Sequence, residues 1–437
     1  MTIVDVQERE EKVSRLIIQK IAYFLGIILF LSTLDRVSVS FAAKTMNVEM
    51  GFNPEIYGFG VGLFFITYML FQMPGVILAK RKGPAWTLAM MTVMWGIVTV
   101  ATGFMWNKNS FYIFRLLLGM MEGSIAPVLV LYISRWVPTS VFGRFQSRSS
   151  LALPASFILG GPISGWLITQ FGDLGGLAGW RWMFIIEGLA TILVGILAFR
   201  LLPERIEDAK WLNAEDGAWL VQALARGADA PPSHGAKSPY LGNLKPGLML
   251  LSWSAIFFCL CMGFYGFMYW LPQVIQMLAP DSSSLQLMGL SAVPWCAATI
   301  GMLANGKLLD RTIHRSLHVG GATFIAAAGL LIAGVAPNPI VAFAGLVICG
   351  LGIGGSQTLF FSIPADKLRG RPSAGFAFAC ITLAGGLSGL VGANLIGVMR
   401  QATGSFTSAI FMLATVYMIG CLIMIVSGRG EGRSRRC

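Results

Sequence analysis

Arg115-Leu116-Leu117-Leu118-Gly119-Met120-Met121-Glu122 lies inside an apolar run, residues 111–136. About 20 mostly apolar residues cross the ~30 Å of bilayer hydrocarbon, so the run reads as a transmembrane helix. The seven-residue spacing puts Arg115 and Glu122 on one face of that helix, two turns apart. A charge at the centre of a membrane helix costs roughly 2.5–3.5 kcal/mol on insertion scales, so such residues mark a substrate or proton pathway. Partners are at hand upstream, where Asp35-Arg36 interrupts the first apolar run between Phe30-Leu31 and Val37-Ser38-Val39. Two acids and two bases are therefore expected inside the membrane.

Working outward, eleven more apolar runs of spanning length follow: residues 20–41, 56–79, 85–106, 149–171, 182–202, 247–278, 285–308, 317–336, 340–361, 373–399 and 406–427. Hydrophobic residues make up 55% of the chain and charged residues 12%, about half the charged share of a soluble domain. The expected fold class is an all-α polytopic membrane protein with 12 transmembrane helices. Spans alternating with short turns leave no room for a soluble catalytic domain. The net charge of +12 does not point to nucleic acid, because the basic residues are sorted by side. With the amino terminus in the cytoplasm, all but six of the Lys and Arg residues fall on that side. The exceptions are Lys44, Lys108, Arg181 and Arg400 on the opposite loops and the intramembrane Arg36 and Arg115. This bias predicts a multi-pass protein of the plasma (bacterial inner) membrane with both termini cytoplasmic. The charged first twenty residues lead straight into a full-length span and predict no cleavable signal. The seven cysteines lie in or beside spans without metal-ligand spacing, so they read as small core residues and no metal is expected.

Along the chain, residues 1–19 read as a solvated cytoplasmic arm, 20–202 as a six-helix bundle, 203–246 as a cytoplasmic linker, 247–428 as a second six-helix bundle and 429–437 as a tail. Alternating apolar and charged residues over 209–226 predict a surface helix in the linker, and Pro231, Pro232, Ser233 and Gly235 a flexible stretch. In the second span Tyr68 and Gln72 share a face, and Pro74-Gly75 predict a bend near its end. The loop after that span reads Leu78-Ala79-Lys80-Arg81-Lys82-Gly83. Six spans later the corresponding loop reads Gly306-Lys307-Leu308-Leu309-Asp310-Arg311, so the two halves look like repeats.

Two six-span halves with a motif repeated between spans two and three resemble the major facilitator superfamily. Its loop pattern, Gly-x-Leu-Ala-Asp-Arg-x-Gly, is met in the second half by Gly306, Leu308, Asp310 and Arg311. In the first half it survives as Leu78, Ala79, Arg81 and Gly83, with Val76 in place of the glycine and Lys80 in place of the aspartate. Within the superfamily, five stretches resemble the anion:cation symporter branch of organic-acid and sugar-acid permeases. They are Leu34-Asp35-Arg36-Val37-Ser38-Val39, Phe64-Phe65-Ile66-Thr67-Tyr68, Phe114-Arg115 through Glu122-Gly123, Trp180-Arg181-Trp182 through Glu187-Gly188, and Tyr265-Gly266 through Trp270-Leu271-Pro272. The branch usually carries asparagines in span eleven, where residues 380–389 have none, and Ser38 stands where asparagine is common. The resemblance implies two pseudo-symmetric bundles, alternating access, and proton-coupled uptake of a small organic anion. A sugar acid or hydroxy-dicarboxylate comes first and an aromatic acid next. In related sugar-acid symporters, positions similar to Asp35 and Glu122 carry protonation.

The residues themselves point the same way. An anion crossing a bilayer needs a cationic contact, and the planar fork of arginine holds a carboxylate by two hydrogen bonds. Arg36 and Arg115 are the only cations deep in the spans; Arg36 is the expected substrate anchor and Arg115 the partner that tunes the acids. Moving an anion inward against the membrane potential costs ~2.3 kcal/mol per charge per 100 mV, which protons carried by Asp35 and Glu122 offset. The competing reading is a static ion-pair cluster that fixes helix packing. Glu187, six residues after Arg181, reads as half of a pair holding the outer end of span six. Tyr68, with Tyr265 and Tyr269 one turn apart and Gln357, are the further candidates for substrate contact, with helix packing or a lipid-facing place as the competing reading of the aromatics; Arg81, Gly83, Gly306, Asp310 and Arg311 are the expected gating-loop residues. The glycine run Gly350-x-Gly352-x-Gly354-Gly355 has no Lys-Ser/Thr continuation, so it reads as helix packing rather than a phosphate loop. With no nucleophile or metal cluster in the pattern, an enzyme is not expected. The proton is the coupling ion and no cofactor is expected; the partners are the anion, protons and lipid, without nucleic acid, around a monomer. Gly160-Gly161-Pro162 resembles a motif of exchangers, so an organic-anion exchanger or exporter stays open, as does a membrane substrate sensor.

Overall fold

The computed structural model describes residues 3–229, 246–309, 315–357, 359–368 and 373–428, and these are helical with no strand among them. The helices are α1 (Ile3–Ile17), α2 (Tyr23–Met50), α3 (Pro54–Leu70), α4 (Gln72–Lys82), α5 (Pro84–Thr102), α6 (Lys108–Glu122), α7 (Ile125–Trp136), α8 (Thr139–Ser150), α9 (Ala152–Gln170) and α10 (Gly179–Leu201). They continue with α11 (Ala214–Asp229), α12 (Pro246–Leu278), α13 (Ser284–Leu309), α14 (Arg315–Val335), α15 (Pro339–Gln357), α16 (Ser362–Leu368), α17 (Ala374–Thr403) and α18 (Thr407–Gly428). Among the described residues eleven helical stretches are long and apolar enough to span a bilayer, or twelve if α3 and α4, bent by 44°, make one broken span. Each of the twelve apolar runs of the sequence falls on one of them.

The break in the second span lies at Phe71 rather than at Pro74-Gly75. Proline acts one turn back: Pro74 has no N–H for the carbonyl of Leu70, and its ring presses on that turn. The helical ladder of the fourth span is also interrupted, between α6 and α7 at Gly123-Ser124, although the backbone angles there stay helical and the span runs on from Lys108 to Trp136. The two places lock together. Ser124 donates its hydroxyl to the Phe71 carbonyl at 2.5 Å, Gly123 packs on the backbone of Tyr68, and Gly75 leaves the space that the Ser124 side chain fills. Irregular backbone inside a membrane is tolerated only where protein re-satisfies it, as here.

Two compact units make up the chain. The first comprises residues 3–36, 67–157 and 181–229. In it the amino-terminal arm is amphipathic, with Glu8, Glu11, Lys12 and Arg15 exposed on one face and its apolar face packed. It is the helix α1, whose Val13 and Ile17 are fully buried. Arg9 and Lys12 reach Glu215 (2.7 Å) and Asp216 (2.8 Å) at the start of α11. The linker helix begins at Ala214, after Asn213 accepts the Asp216 N–H at 2.7 Å. The second unit comprises residues 37–66, 158–180 and the described chain from 246 onward. Its glycine run does serve packing: Gly352 abuts Ala326 of α14 and Gly354 abuts Ala298 of α13, with no room for a Cβ at either. Cys259, Cys261, Cys349 and Cys421 are buried, as small core residues. The predicted flexible stretch around Pro231 lies outside the described residues.

Candidate functional site

All four predicted intramembrane charges lie in the first unit, where Arg36 and Glu122 pair and Arg115 is buried on the same helix as Glu122. Asp35 and Arg36 come from the middle of α2, Arg115 and Glu122 from α6, and all but Arg36 are at most 4% exposed. Glu122 is the last residue of α6, and its side chain lies against Ser32 and Arg36 of α2. The Arg36 Nε donates to Glu122 Oε2 at 2.6 Å, and Ser32 donates to the same oxygen at 3.3 Å. On its other side the Arg36 guanidinium stacks on the ring of Tyr68, 4.7 Å from its centroid. The Arg36 side chain keeps 23% of its surface exposed whereas that of Glu122 keeps none. The arginine is thus the accessible face of a pair whose acid is sealed behind it.

Asp35 points the other way. Its Oδ1 accepts from the Thr99 hydroxyl of α5 at 2.8 Å. Its Oδ2 and the Glu122 Oε1 are both buried and receive no hydrogen from a donor among the described residues. Asp35 and Glu122 are thus two buried acids of one cluster, the second of them paired with an arginine.

In the second unit the Tyr265 and Tyr269 rings stack at 6.4 Å on α12, and Phe65 packs on both. Tyr269 is fully buried, and its carbonyl accepts the Tyr57 hydroxyl at 3.0 Å. Gln357 at the end of α15 donates to the thiol of Cys261, one turn before Tyr265, at 3.3 Å. Of the loop residues, Arg81 is exposed and Gly83 adopts a φ of 101°, a conformation suited to glycine. Gly306 has open space around its Cα, and Asp310 and Arg311 lie outside the described residues. Where Lys80 replaces the aspartate of the loop pattern, a carboxylate arrives from elsewhere. Glu204, beyond the sixth span, accepts the Ala85 N–H at 3.0 Å at the amino end of α5 and pairs with Arg135 at 3.0 Å. No local pattern marks Glu204, because its partners lie 69 and 119 residues away. Thr99 and Ser124 are likewise visible only once the helices are packed.

The profile of the Major Facilitator Superfamily matches residues 25–393. The chain belongs to this superfamily. This facilitator is 34% identical over 97% of its length to a protein of Agrobacterium vitis designated a candidate tartrate transporter, of which it covers 93%. It is 33% identical over 92% of its length to the metabolite transport protein NicT of Pseudomonas putida, covering 91% of it. Its fold matches the inward-open xylose transporter XylE of E. coli with a TM-score of 0.75 at 16% identity, over 96% of this chain and 98% of that one. The facilitator is a multi-pass membrane transporter and not an enzyme.

Proposed function

We propose that this facilitator takes up a small organic anion together with protons by alternating access. The carrying observation is the pairing of a sealed Glu122 with a partly exposed Arg36, next in sequence to a second buried acid, Asp35. A carboxylate substrate that engages the guanidinium competes with Glu122 for its charge, and the acid that loses its counter-charge takes up a proton. Hydroxy-dicarboxylates and sugar acids are the first substrate class, supported by the relatives named for tartrate; aromatic acids come second. Arg36 anchors the anion, Asp35 and Glu122 carry protons, Arg115 tunes them, and Tyr68 in the first unit and Tyr265, Tyr269 and Gln357 in the second are the proposed further substrate contacts. The protein acts as a monomer of two six-helix bundles, residues 20–202 and 247–428, in the inner membrane with both termini cytoplasmic. A relative from Acinetobacter baumannii, 29% identical over 95% of this chain, is named a quinolone resistance transporter and favours export as the second reading.

The test is proteoliposomes loaded with a pH dye and challenged from outside with tartrate, a panel of sugar acids, and benzoate. Internal acidification with one class is expected. Silence across the panel from folded protein, or acidification only when the anion is placed inside, would overturn uptake by symport.

A further inference from the structure

Three buried N–H donors in the second unit find no acceptor among the described residues: the indole Nε1 of Trp270, the amide Nε2 of Gln273 and the guanidinium Nη1 of Arg400. Buried donors are bonded in nearly all native structures, so three together call for an explanation. They belong to two helices that run side by side. Gly385 of α17 abuts Phe257 of α12, Gly392 abuts Met262, and Ile396 abuts Gly266. The contacts advance along both helices in the same direction and in step, which brings Trp270 level with Arg400. Phe406, just past the end of α17, joins them. The Trp270 ring packs edge-on to it at 5.5 Å, and the Arg400 guanidinium sits over its face, 4.9 Å from the centroid.

The indole is turned so that its nitrogen edge meets this place. A Cβ on Gly58 of α3 would come within 3.2 Å of Trp270 Cζ2 and of the Gly397 Cα. Cζ2 and Nε1 flank one ring carbon, so the edge that carries the N–H faces the crossing of α3 and α17. Arg400 stands one turn further along α17 and Gln273 one turn further along α12, both toward the same end. Trp270 is only 2% exposed. Together with Phe406 it walls a crevice whose other sides include Leu330, Leu346, Ile396 and Leu413. No carboxylate pairs with Arg400 among the described residues, and Glu55 at the start of α3 is exposed. A cation and two neutral donors in apolar surroundings suit an anion, and the fork of arginine suits a carboxylate. A single span, α18, separates this end of α17 from the carboxyl terminus. The donors therefore lie at the opposite side of the bilayer from that terminus, the outer side in the proposed orientation. We propose that Arg400, Trp270 and Gln273 form a second carboxylate site at the outer end of this unit, where the substrate anion docks on its way in. The site itself stands on these donors; its part in transport rests on the uptake reading.

Tartrate is the probe, titrated calorimetrically into purified full-length protein in chloride-free buffer. Wild type is expected to show two binding events. Arg36→Ala is expected to weaken the tighter one and keep the other. Arg400→Gln is expected to lose only that other event, and Trp270→Phe and Gln273→Ala to weaken it. Initial uptake rates into proteoliposomes are expected to show a KM raised about tenfold in Arg400→Gln, with kcat within about threefold of wild type. Arg400→Lys, which keeps the charge over Phe406, is expected to fall between. Fewer than two binding events in wild type, two in Arg400→Gln, or a KM unchanged in that variant would overturn the proposal. So would an Arg400-dependent event given equally by sodium chloride, which marks a halide site. A lower kcat and melting temperature in both Arg400 variants, marking a packing role, would overturn it as well. If wild type shows both events but no tartrate-driven uptake, the site stands and the uptake reading falls.

Discussion

Arg36 and Glu122 differ in one respect that decides their parts: the arginine side chain keeps 23% of its surface open and the glutamate none. A charge-assisted hydrogen bond contributes about 1.5–3 kcal/mol, so Arg36→Ala is expected to weaken anion binding by roughly 10- to 100-fold in a calorimetric titration. Lysine cannot reproduce the fork or the stack on Tyr68, and Arg36→Lys is expected to recover little of that loss. Glu122→Gln keeps the shape of the acid and removes its proton chemistry. It is expected to abolish proton-driven accumulation while leaving counterflow at least partly intact; full accumulation by this variant would remove Glu122 from the mechanism. The types of these residues and their places in apolar runs were legible in the chain. What was not legible is that Glu122 binds Arg36 rather than its helix-mate Arg115, because that choice depends on how α6 packs against α2.

At the scale of elements, the interruptions of the second and fourth spans act as one joint. Gly75→Ala puts a methyl group where the Ser124 side chain sits and is expected to cost about 1–3 kcal/mol, seen as a lower melting temperature in detergent. Ser124→Gly on the same background vacates the space. The double variant is expected to melt above Gly75→Ala alone, despite losing the bond to the Phe71 carbonyl, and strict additivity would count against the joint. Pro74 announced a bend in the sequence, and Pro127, three residues after Ser124, stands in the same relation to the interruption at Gly123-Ser124; what the sequence did not show is that the two places meet. The arm α1 is a second case. Its charges read as solvated, yet its buried face holds Val13 and Ile17, and Arg9 and Lys12 face acids of α11 more than 200 residues away. Asp216→Asn is expected to loosen that contact by at most about 1 kcal/mol, less at high salt, measured as faster proteolysis near the amino terminus.

At the scale of the molecule, the sorting of basic residues predicts that both termini face the cytoplasm. Reporter fusions at either terminus are expected to be active only when read on the cytoplasmic side. The chain alone determined that this is a helical membrane protein of about twelve spans, with a few costly charges concentrated near its start, because hydrocarbon thickness translates directly into apolar run length. It also determined which loops carry glycine and where a proline would bend a helix. Only the tertiary structure decided which charges meet, that Glu204 supplies the carboxylate missing from the first loop pattern, and that the amino-terminal arm is packed. The physical reason is range. Insertion into a bilayer is settled segment by segment, whereas an ion pair or a helix joint joins residues that the sequence keeps tens to hundreds of positions apart.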